Sequence, residues 1–284
     1  MPEQLGVLGW PIGHSLSPRI HRAAYGVLGL PWRYSAVRCG VSGLAPFLAR
    51  RGAEWRGLSL TMPLKEEARR LATTLDPVAE ESGVVNTLRH REDGGWDGFN
   101  TDVAGLARAI SAAGLDASRT LVIGTGATAV SAVLAARSLG ASDVLIAGRR
   151  AEAAAELAAR FDGTSGPARA LACASTGLDD PGFAAWAPSL TISTLPGPAG
   201  AGLALPESLT AAPLFDVAYD PWPSHLAASW TRAGGQASPG TDMLIEQAIV
   251  QIRIFLHGDP TRALDAEAGV REAMRAAAPA GVGG

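Results

Sequence analysis

The chain has 284 residues, of which 47% are hydrophobic and 18% charged, with a formal net charge of −3. That length and balance suit one or two folded domains with a substantial core and exclude a disordered chain. With no basic stripe and near-neutral charge, nucleic acid is an unexpected partner.

The opening MPEQLGVLGW lacks the charged and long apolar regions of a signal peptide. No apolar run reaches transmembrane length, so no membrane partner and a cytoplasmic location are expected. Cys39 and Cys173 have no CxxC spacing and read as buried thiols in a reducing compartment. The five histidines show neither HxxxH nor HExxH spacing, so no metal site is expected.

Elements alternate along the first hundred residues. Residues 4–10 read as a strand, and Pro18 to Gly29 as a helix with proline in its first turn and glycine at its end. A strand at 32–39, a helix at 43–51, a strand at 57–61 and a helix at 64–72 follow. This β-α-β-α-β-α order predicts a mostly parallel sheet. Two short strands, near 84–90 and 95–99, flank the turn-like REDGG. Residues 102–114 form an amphipathic helix pattern ending at Gly114.

The pattern then restarts. TLVIG (120–124) reads as a buried strand, followed by a glycine-rich turn and a small-residue helix to Leu139. A strand at 143–148, a helix at 151–161 and strands at 190–194 and 214–219 complete a doubly wound α/β unit of Rossmann type. After residue 240 come only helices, at 241–258 and on to about 275. Helices with no strand to feed must pack on an existing sheet, so they are expected to return to the first one. The predicted domains are 1–103 with 239–284, and 104–238, joined through the helix at 102–114 and flanking a cleft. The tail APAGVGG is expected to fray.

Gly124-x-Gly126-x-x-Ala129 follows a strand and opens a helix. The first glycine permits a tight turn, the second a close approach of the backbone to a pyrophosphate, and the small Ala129 close helix–strand packing. A tight glycine turn without ligand is the plainer alternative. The next strand ends in Arg149 and Arg150, where NAD-binding proteins usually carry an acid. Two guanidinium groups there suit a ribose 2′-phosphate, hence NADP(H), unless they merely start the next helix on the surface.

Of 24 lysines and arginines only Lys65 is a lysine. An ammonium can give up a proton where guanidinium cannot. Lys65 is therefore either a proton carrier or an ordinary helix-start cation beside Glu66 and Glu67. Ser15 and Ser17 precede a helix start, where Ser17 could cap the helix or the two hydroxyls could hold a carboxylate. Asp102 opens another helix, where a first-turn acid suits the dipole whatever else it does.

Taken together, these segments resemble the shikimate dehydrogenase family. G-x-P-x-x-H-S-x-S-P-x-x-H runs from Gly9 to His21, and T-x-P-x-K is Thr61, Pro63 and Lys65. G-x-x-N-T-L is Gly83, Asn86, Thr87 and Leu88, and G-x-N-T-D-x-x-G is Gly98, Asn100, Thr101, Asp102 and Gly105. Tyr219-x-Pro221, Gly240, Met243-Leu244 and Gln247-Ala248 also fit.

The resemblance implies reduction of 3-dehydroshikimate to shikimate with NADPH, in aromatic amino acid biosynthesis, by a monomer or homodimer. It implies that Ser15 and Ser17 bind the carboxylate. Thr61, Asn86, Asp102 and Gln247 would contact the ring hydroxyls, with Tyr219 nearby. Lys65 and Asp102 would be the catalytic pair. Cofactor contacts would fall on Gly124, Thr125, Gly126, Ala127, Thr128, Ala129, Arg149, Arg150, Thr194, Gly240 and Met243.

The sequence departs from the family pattern in places. Ser59 stands where the family often has Asn, and Gly148 where it often has the Asn of N-R-T. Thr125 and Thr128 add bulk to the glycine turn, LPGPAG after Thr194 fits poorly, Asp220 replaces the Asn of Y-N-P, and Ser224 a usual Thr. A quinate/shikimate or aminoshikimate dehydrogenase is the near alternative, and a non-catalytic regulator that kept the fold the remote one.

Overall fold

The structure is a computed structural model and describes residues 3–278 apart from Ala168 and Ala204. The expected fraying therefore lies, beyond Ala278, outside the described residues. The chain divides into two compact units, Met1–Gly105 with Leu244–Pro279, and Leu106–Met243.

The first unit contains, in chain order, β1 (Gln4–Gly9), α1 (Ser17–Leu28), β2 (Arg33–Arg38), α2 (Val41–Leu48), β3 (Trp55–Leu60) and α3 (Lys65–Leu71). Then come β4 (Thr74–Leu75), α4 (Pro77–Ser82), β5 (Thr87–His90), β6 (Trp96–Phe99) and α5 (Asp102–Ala112). The strand order is β2-β1-β3-β5-β6-β4. The sheet is mostly parallel, as expected, with β5 the exception. β1 pairs parallel with β2 and β3, and β4 with β6, but β5 runs antiparallel to both β3 and β6. The short turn at REDGG joins β5 to β6 as a hairpin, which makes that pair antiparallel.

Both faces of this sheet are covered. On β1, Leu5 and Val7 face one side and Leu8 the other, as a period of two requires. Leu5 and Val7 pack with Ile20 and Ala24 of α1 and with residues of two further helices, α9 (Thr241–His257) and α10 (Glu267–Ala277), among them Ile245, Ile249, Val270 and Met274. The C-terminal helices thus return to the first sheet, as their apolar faces predict. On the other side Leu8 joins Leu44, Leu58, Leu60, Leu64 and Trp96. α1 buries Ser17, Ile20, His21, Ala24 and Tyr25, the spacing of one helical face, and stops at Gly29 in the left-handed region.

The second unit holds β7 (Arg119–Ile123), α6 (Ala127–Ser138), β8 (Asp143–Gly148), α7 (Ala151–Phe161), β9 (Ala172–Gly177), β10 (Leu190–Ser193), β11 (Leu214–Asp216), α8 (His225–Arg232) and β12 (Ala237–Pro239). Its order is β12-β11-β10-β7-β8-β9, with every neighbouring pair parallel. The order reverses direction at β7, whose C-terminal end is where doubly wound sheets bind ligands. β4, α4, β9 and β12 are short or lack apolar periodicity and, with the amphipathic α8, went unpredicted, and the strand expected at 214–219 stops at Asp216. Cys173 is only half-buried, not buried, and both thiols are free. Burial raises both, Cys173 to about 12, which keeps them unreactive.

Candidate active site

In the first unit, four separated segments gather around Asp102. Lys65, the first residue of α3, puts Nζ 2.5 Å from Asp102 Oδ2. Their side chains are only 12% and 7% exposed, so the pair is little screened by water. Asp102 opens α5, and its own N–H donates to Asn100 Oδ1 at 3.1 Å. Its Oδ1 accepts from Asn86 Nδ2 at 2.7 Å. The rest of the Asn86 amide is also engaged. Nδ2 donates to Thr101 Oγ1 at 2.9 Å, and Oδ1 accepts from Thr101 N–H at 2.9 Å and Thr87 Oγ1 at 2.8 Å. Thr101 Oγ1 also reaches Gln247 Oε1 of α9 at 3.3 Å. Lys65, Asn86, Asp102 and Gln247 are thus gathered in one place. A lysine nitrogen held by an oriented carboxylate can pass a proton to and from an oxygen set against it.

Thr61 sits just beyond β3, with its N–H bonded to Leu8 O at 2.9 Å and its methyl against Gly9. A Cβ at Gly9 would collide with that methyl, which accounts for the glycine. Ser17 does not cap α1; the helix has no side-chain cap, and the Ser17 N–H instead donates to Ser15 Oγ at 3.3 Å.

The departure at Ser59 has a structural partner. Its Oγ accepts from Tyr34 Oη at 2.6 Å and donates to Gln251 Oε1 at 2.7 Å. Tyr34, Thr87 and Gln251 were missed as site-related residues. No spacing signal joins them, because they come from β2, β5 and α9; the unexpected serine at 59 was the one available clue.

In the second unit, β7 delivers Gly124 with φ of 122°, and any Cβ there would strike Thr194 Oγ1. Thr194 is itself fixed, its Oγ1 donating to Ile123 O at 3.0 Å. α6 starts at Ala127 after Gly126 in extended conformation, with no side-chain cap, and nothing lies within 4 Å of where a Gly126 Cβ would stand. A helix start left open in this way fits an anionic phosphate. Ala129 is fully buried in the first turn.

A cavity of about 430 Å³ opens beside this turn, lined by Gly124, Thr125, Gly148, Arg149, Arg150, Leu178 and neighbours. Its described lining carries two guanidinium groups and no carboxylate, so the residues fit a phosphorylated dinucleotide. Asp143 lies at the opposite end of β8, paired with Arg169 at 2.9 Å. Glycine at 148 also has a cause: a Cβ there would stand 2.7 Å from the Thr125 methyl.

Tyr219 lies in the half-buried segment after β11. Asp216 ties both sides of that segment, accepting from Ala218 N–H at 3.2 Å and from Ser224 Oγ at 2.5 Å. Burial raises the Asp216 carboxyl, and these bonds pull it back. Gly240 packs flat on the Val217 backbone, and Met243 is buried at the start of α9. Among the described residues no helix is long and apolar enough to cross a membrane.

A doubly wound sheet with an open glycine turn, and a mixed sheet presenting a lysine–carboxylate pair, define a nucleotide-dependent α/β oxidoreductase. Residues 7–88 match the model of the shikimate dehydrogenase substrate binding domain. The shikimate dehydrogenase (NADP(+)) of Anaeromyxobacter dehalogenans is 36% identical over 278 residues, covering 94% of this chain and 97% of that protein. The crystal structure of Mycobacterium tuberculosis shikimate dehydrogenase superposes with a TM-score of 0.82 at 37% identity, covering 97% of this chain and 98% of that one. The Thermus thermophilus shikimate 5-dehydrogenase, solved in complex with NADP(H) and shikimate, gives a TM-score of 0.77 at 27% identity, covering 97% and 99%. The chain belongs to the shikimate dehydrogenase family.

Proposed function

We propose that this protein catalyses the reversible NADPH-dependent reduction of 3-dehydroshikimate to shikimate, with Lys65 and Asp102 as the proton-transferring pair. The observation that carries it is the 2.5 Å contact between Lys65 Nζ and Asp102 Oδ2, anchored from behind by Asn86. When bound, the nicotinamide cofactor supplies the hydride for the carbonyl carbon. Lys65 then gives a proton to the carbonyl oxygen as that oxygen gains charge, and takes it back in the reverse direction. Asp102 holds the ammonium in place. General acid–base help of this kind is worth about 10²–10⁴-fold in rate.

In this reading Ser15 and Ser17 bind the substrate carboxylate, and Thr61, Asn86, Asp102 and Gln247 meet the ring hydroxyls, with Tyr219 nearby. The first unit is the substrate-binding domain and the second the NADP-binding domain. The turn Gly124 to Ala129 holds the pyrophosphate, Arg149 and Arg150 the 2′-phosphate, and Thr194, Gly240 and Met243 add further cofactor contacts. The arginines at the end of β8, with no acid in that lining, support NADP over NAD. The free thiols of Cys39 and Cys173 fit a reducing, cytoplasmic setting, and the protein works as a monomer or homodimer.

The test is formation of reduced nicotinamide, followed by absorbance, in four mixtures crossing shikimate or quinate with NADP or NAD. Turnover mainly with shikimate and NADP is expected. Turnover mainly with quinate or NAD would overturn the substrate or cofactor assignment, and silence in all four would overturn the activity.

A further inference from the structure

A buried chain of hydrogen bonds leads from the edge strand β2 of the first sheet to the Lys65–Asp102 pair. Tyr34 Oη donates to Ser59 Oγ at 2.6 Å, Ser59 Oγ to Gln251 Oε1 at 2.7 Å, and Gln251 Nε2 to Thr87 Oγ1 at 3.0 Å. Thr87 Oγ1 donates to Asn86 Oδ1 at 2.8 Å, and Asn86 Nδ2 to Asp102 Oδ1 at 2.7 Å. All six residues are buried, Thr87 fully and Gln251 at 1% exposure, so water does not compete for these bonds.

The direction of the chain follows from groups that can act in only one way. Asp102 as a carboxylate only accepts, and the Thr101 N–H only donates. Between them they fix the Asn86 amide, with Nδ2 toward Asp102 and Oδ1 toward Thr101 N. Asn86 Oδ1 then takes the one proton of the Thr87 hydroxyl. A Thr87 oxygen whose proton is committed must receive from its other neighbour, so Gln251 turns Nε2 toward it. That leaves Gln251 Oε1 facing Ser59, whose proton it takes, and Ser59 in turn accepts from Tyr34. Every donor points toward Asp102, and no link can reverse alone without setting two donors or two acceptors face to face. Such alignment strengthens successive bonds.

We infer that Gln251 and Thr87 are positioning residues for catalysis: the relay from Tyr34 locks the Asn86 amide, which in turn holds the Asp102 carboxylate square to Lys65. The inference rests on the proposed role of that pair. It assigns a catalytic consequence to residues that do not contact the pair themselves, and it explains why a glutamine amide is held in the core between α9 and β3.

Thr87→Val keeps the side-chain shape and removes the hydroxyl, Thr87→Ser restores it, and Gln251→Met removes the amide at similar length. Turnover of shikimate with NADP should fall at least tenfold in Thr87→Val and Gln251→Met, with KM for shikimate within about threefold of wild type. Thr87→Ser should recover most of the loss. A purely structural role would lower thermal stability without this split between kcat and KM or this rescue. Wild-type kcat in both folded variants, or no rescue by serine, would overturn the relay. A wild-type protein inactive on shikimate would instead overturn the proposed function. The relay would then be judged by crystal structures of wild type and Thr87→Val. Asp102 turned from Lys65, or the Asn86 amide reversed, is expected in the variant, and an unchanged Lys65–Asp102–Asn86 geometry would refute the relay.

Discussion

Gly105→Ala tests how closely α5 and α9 must approach for the site to form. A Cβ on residue 105 would lie 2.6 Å from Gln247 Cβ, 2.8 Å from Gln247 N and 2.9 Å from its Cα. Ordinary carbon contacts are near 3.5–4.0 Å, so one helix must shift by about 1 Å. Two of the three obstructing atoms are backbone, and no rotamer change relieves them. α5 carries Asp102 one turn earlier, and α9 carries Gln247. A displacement of about 1 Å in a reacting geometry costs on the order of 10²-fold in rate. Overpacking costs about 1–3 kcal/mol, partly offset by the roughly 1 kcal/mol helix preference of Ala over Gly. Steady-state kinetics with shikimate and NADP, alongside a melting curve, should show kcat down about 100-fold with only a modest change in stability. Wild-type kcat in Gly105→Ala would refute the close-approach reasoning.

Three further outcomes follow from local structure. His21 is fully buried, and burial pushes its imidazole down to about 3, so the folded state stays neutral while the unfolded chain takes a proton below about 6.5. Stability should therefore fall as pH drops from about 6.5 toward 3, by about 1.4 kcal/mol per unit, or about 2 kcal/mol at pH 5. Urea unfolding at pH 7 and pH 5 should show this loss in wild type and not in His21→Phe; equal losses would contradict it. Arg149→Ala should weaken NADP at least tenfold more than NAD in binding titrations, whereas a uniform loss would remove Arg149 from 2′-phosphate recognition. Ser224 caps α8 and donates to buried Asp216. Ser224→Ala should cost about 2 kcal/mol in urea unfolding and Ser224→Thr little, and equal stability of all three proteins would be contrary to this role.

The sequence made the site legible where chemistry depends on local order. The turn at Gly124 to Ala129, the β8 end at Arg149 and the lysine of T-x-P-x-K could each be read because strand, turn and helix follow one another within a few residues. What joins Ser59 to Gln251 could not, since 192 residues separate them and nothing but the packing of α9 on β3 brings them together. The antiparallel β5 was half-visible: its hairpin was expected, but its pairing with β3 is a long-range choice that periodicity does not encode. Ser17 was open to two readings because a helix-start hydroxyl serves a cap or a ligand equally well, and only the geometry removed the cap. β9 escaped notice because ACASTG offers small residues with no apolar alternation.

The account rests most heavily on proton transfer by the Lys65–Asp102 pair, and the most direct measurement is shikimate oxidation by Lys65→Arg beside wild type, with shikimate affinity measured on both. Arginine keeps the charge next to Asp102 but does not readily release a proton. The expected result is affinity within about tenfold and turnover lower by about 10²–10⁴-fold. Equal turnover in the two proteins would contradict the account.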